Sequence, residues 1–232
     1  MAFKTKLDAC INRYQHQVKI MDAYLETVQE PLLKTKDKTI IQFAFESLAV
    51  RIIGFLEEYL WCLVTIATVH QEKLVRKYFT EFGNFDVQRQ VKSHCNLGML
   101  TNFAKSQVSF KEKAKKLKRI FDHLFSFLPF PDKKTENLIL DLVLVRNIIL
   151  HAGGWPNEYH ADQIINLGII VASREIDLKK DNSKPIKFYR LELTETRFLK
   201  EAVWAAGSIG SHIQEHLEKD LRYSYIKNQE RI

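Results

Sequence analysis

Glycine and proline are scarce in this chain, at 8 and 5 of 232 residues. So few turn formers, with 15 Phe and many Leu and Ile, suit long helices and argue against a many-turned β-sandwich. Collagen-like and mucin-like classes are excluded. Cysteine is sparse too. Cys10, Cys62 and Cys95 are far apart, odd in number and form no C-x-x-C, which reads as free thiols in a reducing compartment and not as a disulfide scaffold. A P-loop, a G-x-G-x-x-G and a G-x-S-x-G are all missing, so triphosphate, dinucleotide and α/β-hydrolase chemistry have no support. The start, MAFKTKLDACINRY, is amphipathic without an apolar stretch, so no secretory leader is expected. The longest uncharged apolar run, Tyr59 to Val69, falls short of the ~20 residues that span a bilayer. The expectation is a soluble, cytoplasmic protein with no membrane partner.

What is present is an ordinary globular balance, 46% hydrophobic and 27% charged, long enough for one large domain or two small ones. Lys and Arg number 35 against 28 Asp and Glu, a net charge of +7. That excess permits a polyanionic partner, nucleic acid or an anionic surface; it speaks to partners and not to fold.

Hydrophobic spacing predicts an amphipathic helix over 3–30, carried by Leu7, Ile11, Tyr14, Val18, Met21, Leu25 and Val28 and stopped by Pro31. A second helix is expected over 39–70. Phe45, Leu48, Ile52, Phe55, Tyr59, Cys62 and Ile66 form its stripe, and its opposite side is also apolar, so it should be central and buried. Residues 80–102 lose periodicity and read as a loop or short helices. Residues 109–128 regain it, with Ser109 as cap, Phe110, Leu117, Phe121, Leu124 and Leu128 inward, and Lys111, Lys113, Lys115, Lys116, Lys118 and Arg119 as a basic outer face. PFPD at 129–132 breaks the chain, and a helix from about 134 to 151 ends at Gly153 and Gly154. The runs 164–173 and 186–193 are β-rich, joined by the charged, turn-rich 179–185, and suggest a β-hairpin. Thr194 then caps a last helix to about 222, with Phe198, Val203, Trp204, Ile209 and Leu217 as inward candidates. The layout is a single, mainly α domain over 1–232: a helical core to about 151, a hairpin at about 164–193 and a C-terminal helix from about 195.

The sharpest local feature is Leu144-Val145-Arg146-Asn147-Ile148-Ile149-Leu150-His151-Ala152-Gly153-Gly154. The bare pattern Arg-x4-His means little, since chance alone yields roughly 0.4 matches in a chain of this composition. A second match, Arg89 to His94, sits in a polar, aperiodic segment and is taken as the chance one. The first match differs physically. Leu138, Leu142, Val145 and Ile149 bury one side of its helix, while Arg146 and Asn147 interrupt an apolar run. Burying an Arg is costly unless it is paired or faces a polar cleft. Asn147 and His151 are i, i+4 and share a face.

This segment resembles the signature of the HEPN superfamily, helical domains of prokaryotic defence and toxin systems, whose hallmark is Arg-polar-x(3–5)-His late in the domain. Phe55-Leu56-Glu57-Glu58-Tyr59-Leu60 resembles that family's early helix, which often carries an acidic or polar residue near the active site. The hairpin and final helix resemble one branch of stand-alone members. The specific part of the likeness is the short run 144–154; the first helix and residues 80–102 match nothing in it. The resemblance implies a HEPN-like helical bundle and a metal-independent endoribonuclease acting as a homodimer, two motifs meeting across the interface in one composite site. No cofactor and no metal is implied.

In that reading His151 is general base on the ribose 2′-hydroxyl or acid on the leaving oxygen. Arg146 binds the scissile phosphate, Asn147 orients by hydrogen bonding, and Glu57 or Glu58 holds Arg146. The products are a 2′,3′-cyclic phosphate and a 5′-hydroxyl. RNA is the partner, with an antitoxin or another defence-system component possible beside it. Lys115, Lys116, Lys118 and Arg119 supply sequence-blind phosphate contacts, and Trp155 a base-stacking surface.

The alternative has Arg146 paired with a buried Glu and His151 merely capping helix carbonyls, in a non-catalytic dimerisation or scaffold module. A third reading is a basic RNA binder without cleavage. His212-Ile213-Gln214-Glu215-His216 fits an H-x-x-E-H zinc pattern, but only a short tail follows to supply another ligand, so an exposed helix face is the simpler reading. Trp61 and Trp204 fall in apolar stripes and are expected in the core.

Overall fold

The structure is a computed structural model and describes residues 3–35, 37–93, 96–110, 112–167, 169–176, 186–193 and 197–229. It is mainly helical. In chain order the elements are α1 (Phe3–Lys34), α2 (Lys38–His70), α3 (Glu72–Phe82), α4 (Phe85–Lys92), α5 (Leu97–Gln107), α6 (Lys115–Phe125), α7 (Lys133–Ala152), α8 (Glu158–Asn166), β1 (Ile170–Ile176), β2 (Ile186–Glu192) and α9 (Arg197–Gln229). The chain divides into two compact units. The first holds Met1–Gln17, Phe55–Glu136 and Gly207–Ile232, the second Val18–Gly54 and Asn137–Ala206.

In the first unit, Leu7, Ile11 and Tyr14 of α1 are buried, with Leu56, Leu60, Leu63 and Val64 of α2 and Leu117, Phe121 and Leu124 of α6. The segment 80–102 resolves into short helices because asparagines start them: Asn84 accepts from the Val87 amide and Asn96 from the Met99 amide. The helix expected from 109 starts only at Lys115. Glu112, Lys113 and Ala114 have positive φ, from 53° to 58°, so no right-handed turn passes through them. Ser126 (φ 59°) ends α6, which leaves Leu128 exposed instead of inward.

Glu136, in the first turn of α7, is 7% exposed and receives Lys118 Nζ at 2.7 Å and Lys133 Nζ at 3.1 Å. Burial by itself would raise its pKa; the two lysine hydrogen bonds outweigh it and hold the carboxyl below its ordinary value. A carboxyl with a depressed folded pKa stabilises above its unfolded value, near 4.5, and that contribution is lost as pH falls through the folded value. Lys118→Met should therefore cost about 1–2 kcal/mol near neutrality, because Lys133 alone remains on a buried carboxylate. The loss should shrink in acid. Urea midpoints of both proteins across pH 3 to 7 measure this; an equal loss at every pH would contradict it.

The second unit is built on Phe45, Leu48, Ile52 and Ile53 of α2, Ile139, Leu142, Val145 and Ile148 of α7, and Leu199, Ala202 and Val203 of α9, all buried. β1 and β2 pair antiparallel, Val171 opposite Leu191 and Ser173 opposite Tyr189. Residues 164–166, expected in a strand, are helical. Asn157 accepts from the His160 amide and starts α8, which buries Ala161 and Ile164, so helix capping overrides β propensity there.

Two further corrections concern helix ends and faces. Pro31 does not stop α1, which runs to Lys34 with Pro31 inside it. In the last turn, proline forfeits one backbone hydrogen bond without ending the helix at once. Trp204 is 54% exposed on the outer face of α9, and Trp61 is also largely exposed, its Nε1–H donating to the Val108 carbonyl at 3.3 Å. The polar indole nitrogen favours this half-wet position. Thr194 lies outside the described residues.

By length and composition α2 could cross a membrane: an 18-residue window averages 1.6 in mean hydropathy and is 50% buried within the protein. The run from Tyr59 to Val69 missed this because it admitted no charged residue. The core helix of a soluble protein passes the same test.

Candidate functional site

The last turns of α7 carry the motif, in the second unit. Val145 and Ile148 anchor the helix in the core, which leaves Arg146 and Asn147 half-buried at its flank and His151 exposed in its final turn. Arg146 Nη1 donates to Asn147 Oδ1 at 3.1 Å. The amide thus restrains a side chain that otherwise samples many rotamers, and a guanidinium presents its donors in a planar fork whose geometry matches an oxyanion.

Gly153 (φ 57°) and Gly154 (φ 82°) close the helix in a conformation that a side chain disfavours. The Gly154 amide returns to the Ile148 carbonyl at 3.1 Å, and its carbonyl accepts the Leu191 amide at 2.8 Å. The end of α7 is thereby tied to β2. A carboxylate absent from the sequence reading stands beside this turn: a Cβ built on Gly154 would lie 3.6 Å from Glu46 Oε1. Gln42, one turn earlier on α2, donates to Glu46 and, at 2.6 Å, to the Leu191 carbonyl, while its side-chain oxygen accepts the Leu193 amide at 3.1 Å. The buried Gln42 amide serves β2 as the backbone of a neighbouring strand would.

Replacing Gln42 with Leu keeps the volume and strips the Leu191 carbonyl and the Leu193 amide, at the end of β2, of their partner, a cost of about 1–3 kcal/mol. Hydrogen exchange at Leu193 should accelerate while amides in the centre of α6 keep their protection. Unchanged exchange at Leu193 would refute this role.

The acidic pair Glu57 and Glu58 lies further along α2. Glu57 and Glu58 belong to the first unit, where Glu58 pairs with Arg13 at 2.7 Å. Glu46, in the second unit with the motif, is a further carboxylate that the sequence reading did not single out. Its available signal was the i, i+4 pair Gln42 and Glu46 interrupting an apolar helix.

Lys115 and Lys116 are exposed, but Lys118 is committed to Glu136, and the Arg119 guanidinium lies 4.8 Å over the Phe82 ring. All four belong to the first unit. Trp155 is 48% exposed directly after the glycine turn, with the Arg190 guanidinium 5.9 Å from its ring centroid.

His212 and His216 stand with ring centroids 4.3 Å apart. His212 Nε2 faces the Leu128 carbonyl at 3.0 Å and His216 Nδ1 faces the His212 carbonyl at 2.9 Å, so each ring has a nitrogen engaged by backbone. Burial lowers the His212 pKa. Among the described residues no group of three or more His, Cys, Asp or Glu has the arrangement to hold a metal ion.

Comparison of the chain with protein-family models, with curated proteins and with solved structures returns no match in any of the three.

Proposed function

We propose that this chain is a HEPN-type, metal-independent endoribonuclease, a mainly helical bundle with a β-hairpin before α9. In this reading it works as a cytoplasmic homodimer in the role of a toxin or defence effector. The observation that carries the reading is the end of α7: a braced guanidinium, an amide and an exposed imidazole on one rigid helix end, closed by two glycines.

The chemistry follows from the residue types. Arg146 takes the scissile phosphate on its guanidinium and stabilises the charge that develops on it. His151 exchanges protons with the ribose 2′-hydroxyl or the 5′-oxygen. Attack of the 2′-oxygen on phosphorus forms the 2′,3′-cyclic phosphate, and the departing 5′-oxygen collects a proton as a 5′-hydroxyl. One copy brings one such imidazole to its site. A second copy, its own His151 facing the first, supplies base and acid together, which is the physical reason to expect a two-fold composite site. Glu46 and Gln42 act as positioning residues that hold the glycine turn and β2. Trp155 offers a face for a base, and Lys115 and Lys116 add salt-dependent attraction. An antitoxin or another defence component is the expected restraint on such an activity.

The non-catalytic dimerisation or scaffold reading has its own support. Leu150 is 54% exposed beside His151, and Tyr159 is 68% exposed on α8, an apolar display suited to a partner surface. An RNA binder without cleavage is the remaining alternative. Purified wild-type protein and His151→Ala, each incubated with total RNA in EDTA, separate the three. Cleavage by wild type alone supports the nuclease. Intact RNA with dimers in both points to the scaffold, and salt-dependent binding without cleavage in both to the binder.

A further inference from the structure

Cys10 and Cys62 take no part in the cleavage chemistry, yet they meet in the first unit where α1 passes α2. Three contacts fix that seam. Arg13 meets Glu58 at 2.7 Å. The Tyr14 and Tyr59 rings stack 4.2 Å apart with their planes 5° from parallel. Cys10 Sγ lies 3.9 Å from the Tyr59 carbonyl oxygen. Residues 10, 13 and 14 face 58, 59 and 62 within about one helical turn, which sets the two thiols side by side on the seam. Cys10 is buried and Cys62 is half-buried, and both are unoxidised.

We propose that Cys10 and Cys62 form a reversible thiol–disulfide pair, in which Cys62 is the thiol that reacts with hydroperoxides, Cys10 resolves it, and the bond clips α1 to α2.

The local chemistry divides these roles. The neighbouring Cys10 thiol holds Cys62 down to about 7, against the opposing effect of burial. The neighbouring Cys62, then burial, pushes the Cys10 thiol up. Cys62 therefore carries the thiolate and has the access; Cys10 keeps its proton until needed. The Cys62 thiolate attacks one oxygen of a hydroperoxide. The O–O bond breaks, a sulfenic acid forms on Cys62, and the departing oxygen leaves as hydroxide or alkoxide and is protonated by water. The sulfur is oxidised by two electrons and the peroxide reduced by two. Cys10 then gives up its proton and attacks the Cys62 sulfur; the S–S bond forms, the S–O bond breaks, and water leaves. A dithiol reductant restores both thiols by exchange. The clip requires the sulfurs to close to about 2 Å.

The test treats the full chain with a small excess of hydrogen peroxide, blocks remaining thiols, digests without reductant and weighs the peptides. A peptide pair joining Cys10 to Cys62 is expected in wild type and equally in Cys95→Ser, and dithiothreitol should remove it. In Cys10→Ser, Cys62 should be trapped as its sulfenic acid by dimedone about tenfold faster than Cys10 is in Cys62→Ser. No joined pair, a bond made to Cys95 instead, or equal trapping of the two thiols would overturn the proposal. The readout is independent of RNA, so a failure of the nuclease reading leaves it standing or falling by itself.

Discussion

His151→Ala should lower RNA cleavage by about 10²–10⁴-fold, the usual contribution of one positioned acid or base, and leave the fold intact. His151 is exposed in the final turn of α7, so its removal disturbs at most a favourable helix-end interaction, within about 1 kcal/mol. Arg146→Ala should cost about 10²–10³-fold, as loss of a preorganised donor to developing charge does. Arg146→Lys should not restore the activity, because an ammonium cannot both meet Asn147 and present a planar fork to phosphate. Initial rates on one RNA, with circular dichroism of each variant, check this. Wild-type rates in either variant, or a coincident loss of helix, would contradict the assigned roles.

Gly210→Val should be among the most destabilising single changes in the first unit. A Cβ at Gly210 would lie 2.9 Å from Tyr14 Cε1 and 3.0 Å from Cδ1. The Tyr14 ring has no space to retreat: it is 1% exposed and stacked 4.2 Å from Tyr59. Gly210→Ala sets a gain of about 1 kcal/mol in helix propensity against overpacking of about 1–3 kcal/mol, so its net effect is small. Valine adds two methyls and gains less propensity, and the balance turns to a loss of about 2–3 kcal/mol. For a chain of this size that lowers Tm by roughly 4–12 °C. Tyr14→Leu, by vacating the ring edge, should recover part of the loss in a double-mutant cycle. Strict additivity of the two changes would refute the contact.

The most legible parts of the sequence were its periodic helices. Apolar spacing announced α2 as a long helix, though only half of its most apolar window is buried and Phe43 is 72% exposed, and Gly153 and Gly154 marked the end of α7 within a residue. The motif was also visible, since Arg146 and Asn147 break an apolar run. Less legible were features decided by a single backbone residue or by another element. Asn157 overrides the β propensity of 164–166 through one cap. Three left-handed residues delay α6 to Lys115, although the hydrophobic spacing runs on from 110.

Glu46 went unnoticed in the sequence for a similar reason. Glu46 and the pair Glu57–Glu58 all interrupt α2, and nothing in the sequence says which level of that helix lies beside Gly154. The turn geometry and the Gln42 bridge to β2 decide it. The basic face of α6 illustrates the limit of charge counting. Six cations are present there in sequence, but Glu136 lies 18 residues away from Lys118 and Phe82 on another helix, and between them they engage Lys118 and Arg119.

The central claim is best tested by the chemistry of the cut ends. A defined RNA oligonucleotide is incubated with purified wild-type protein in EDTA and the products weighed. The account expects fragments ending in a 2′,3′-cyclic phosphate and starting with a 5′-hydroxyl, absent with His151→Ala. Fragments with 3′-hydroxyl and 5′-phosphate ends, or cutting that persists in His151→Ala, would contradict it.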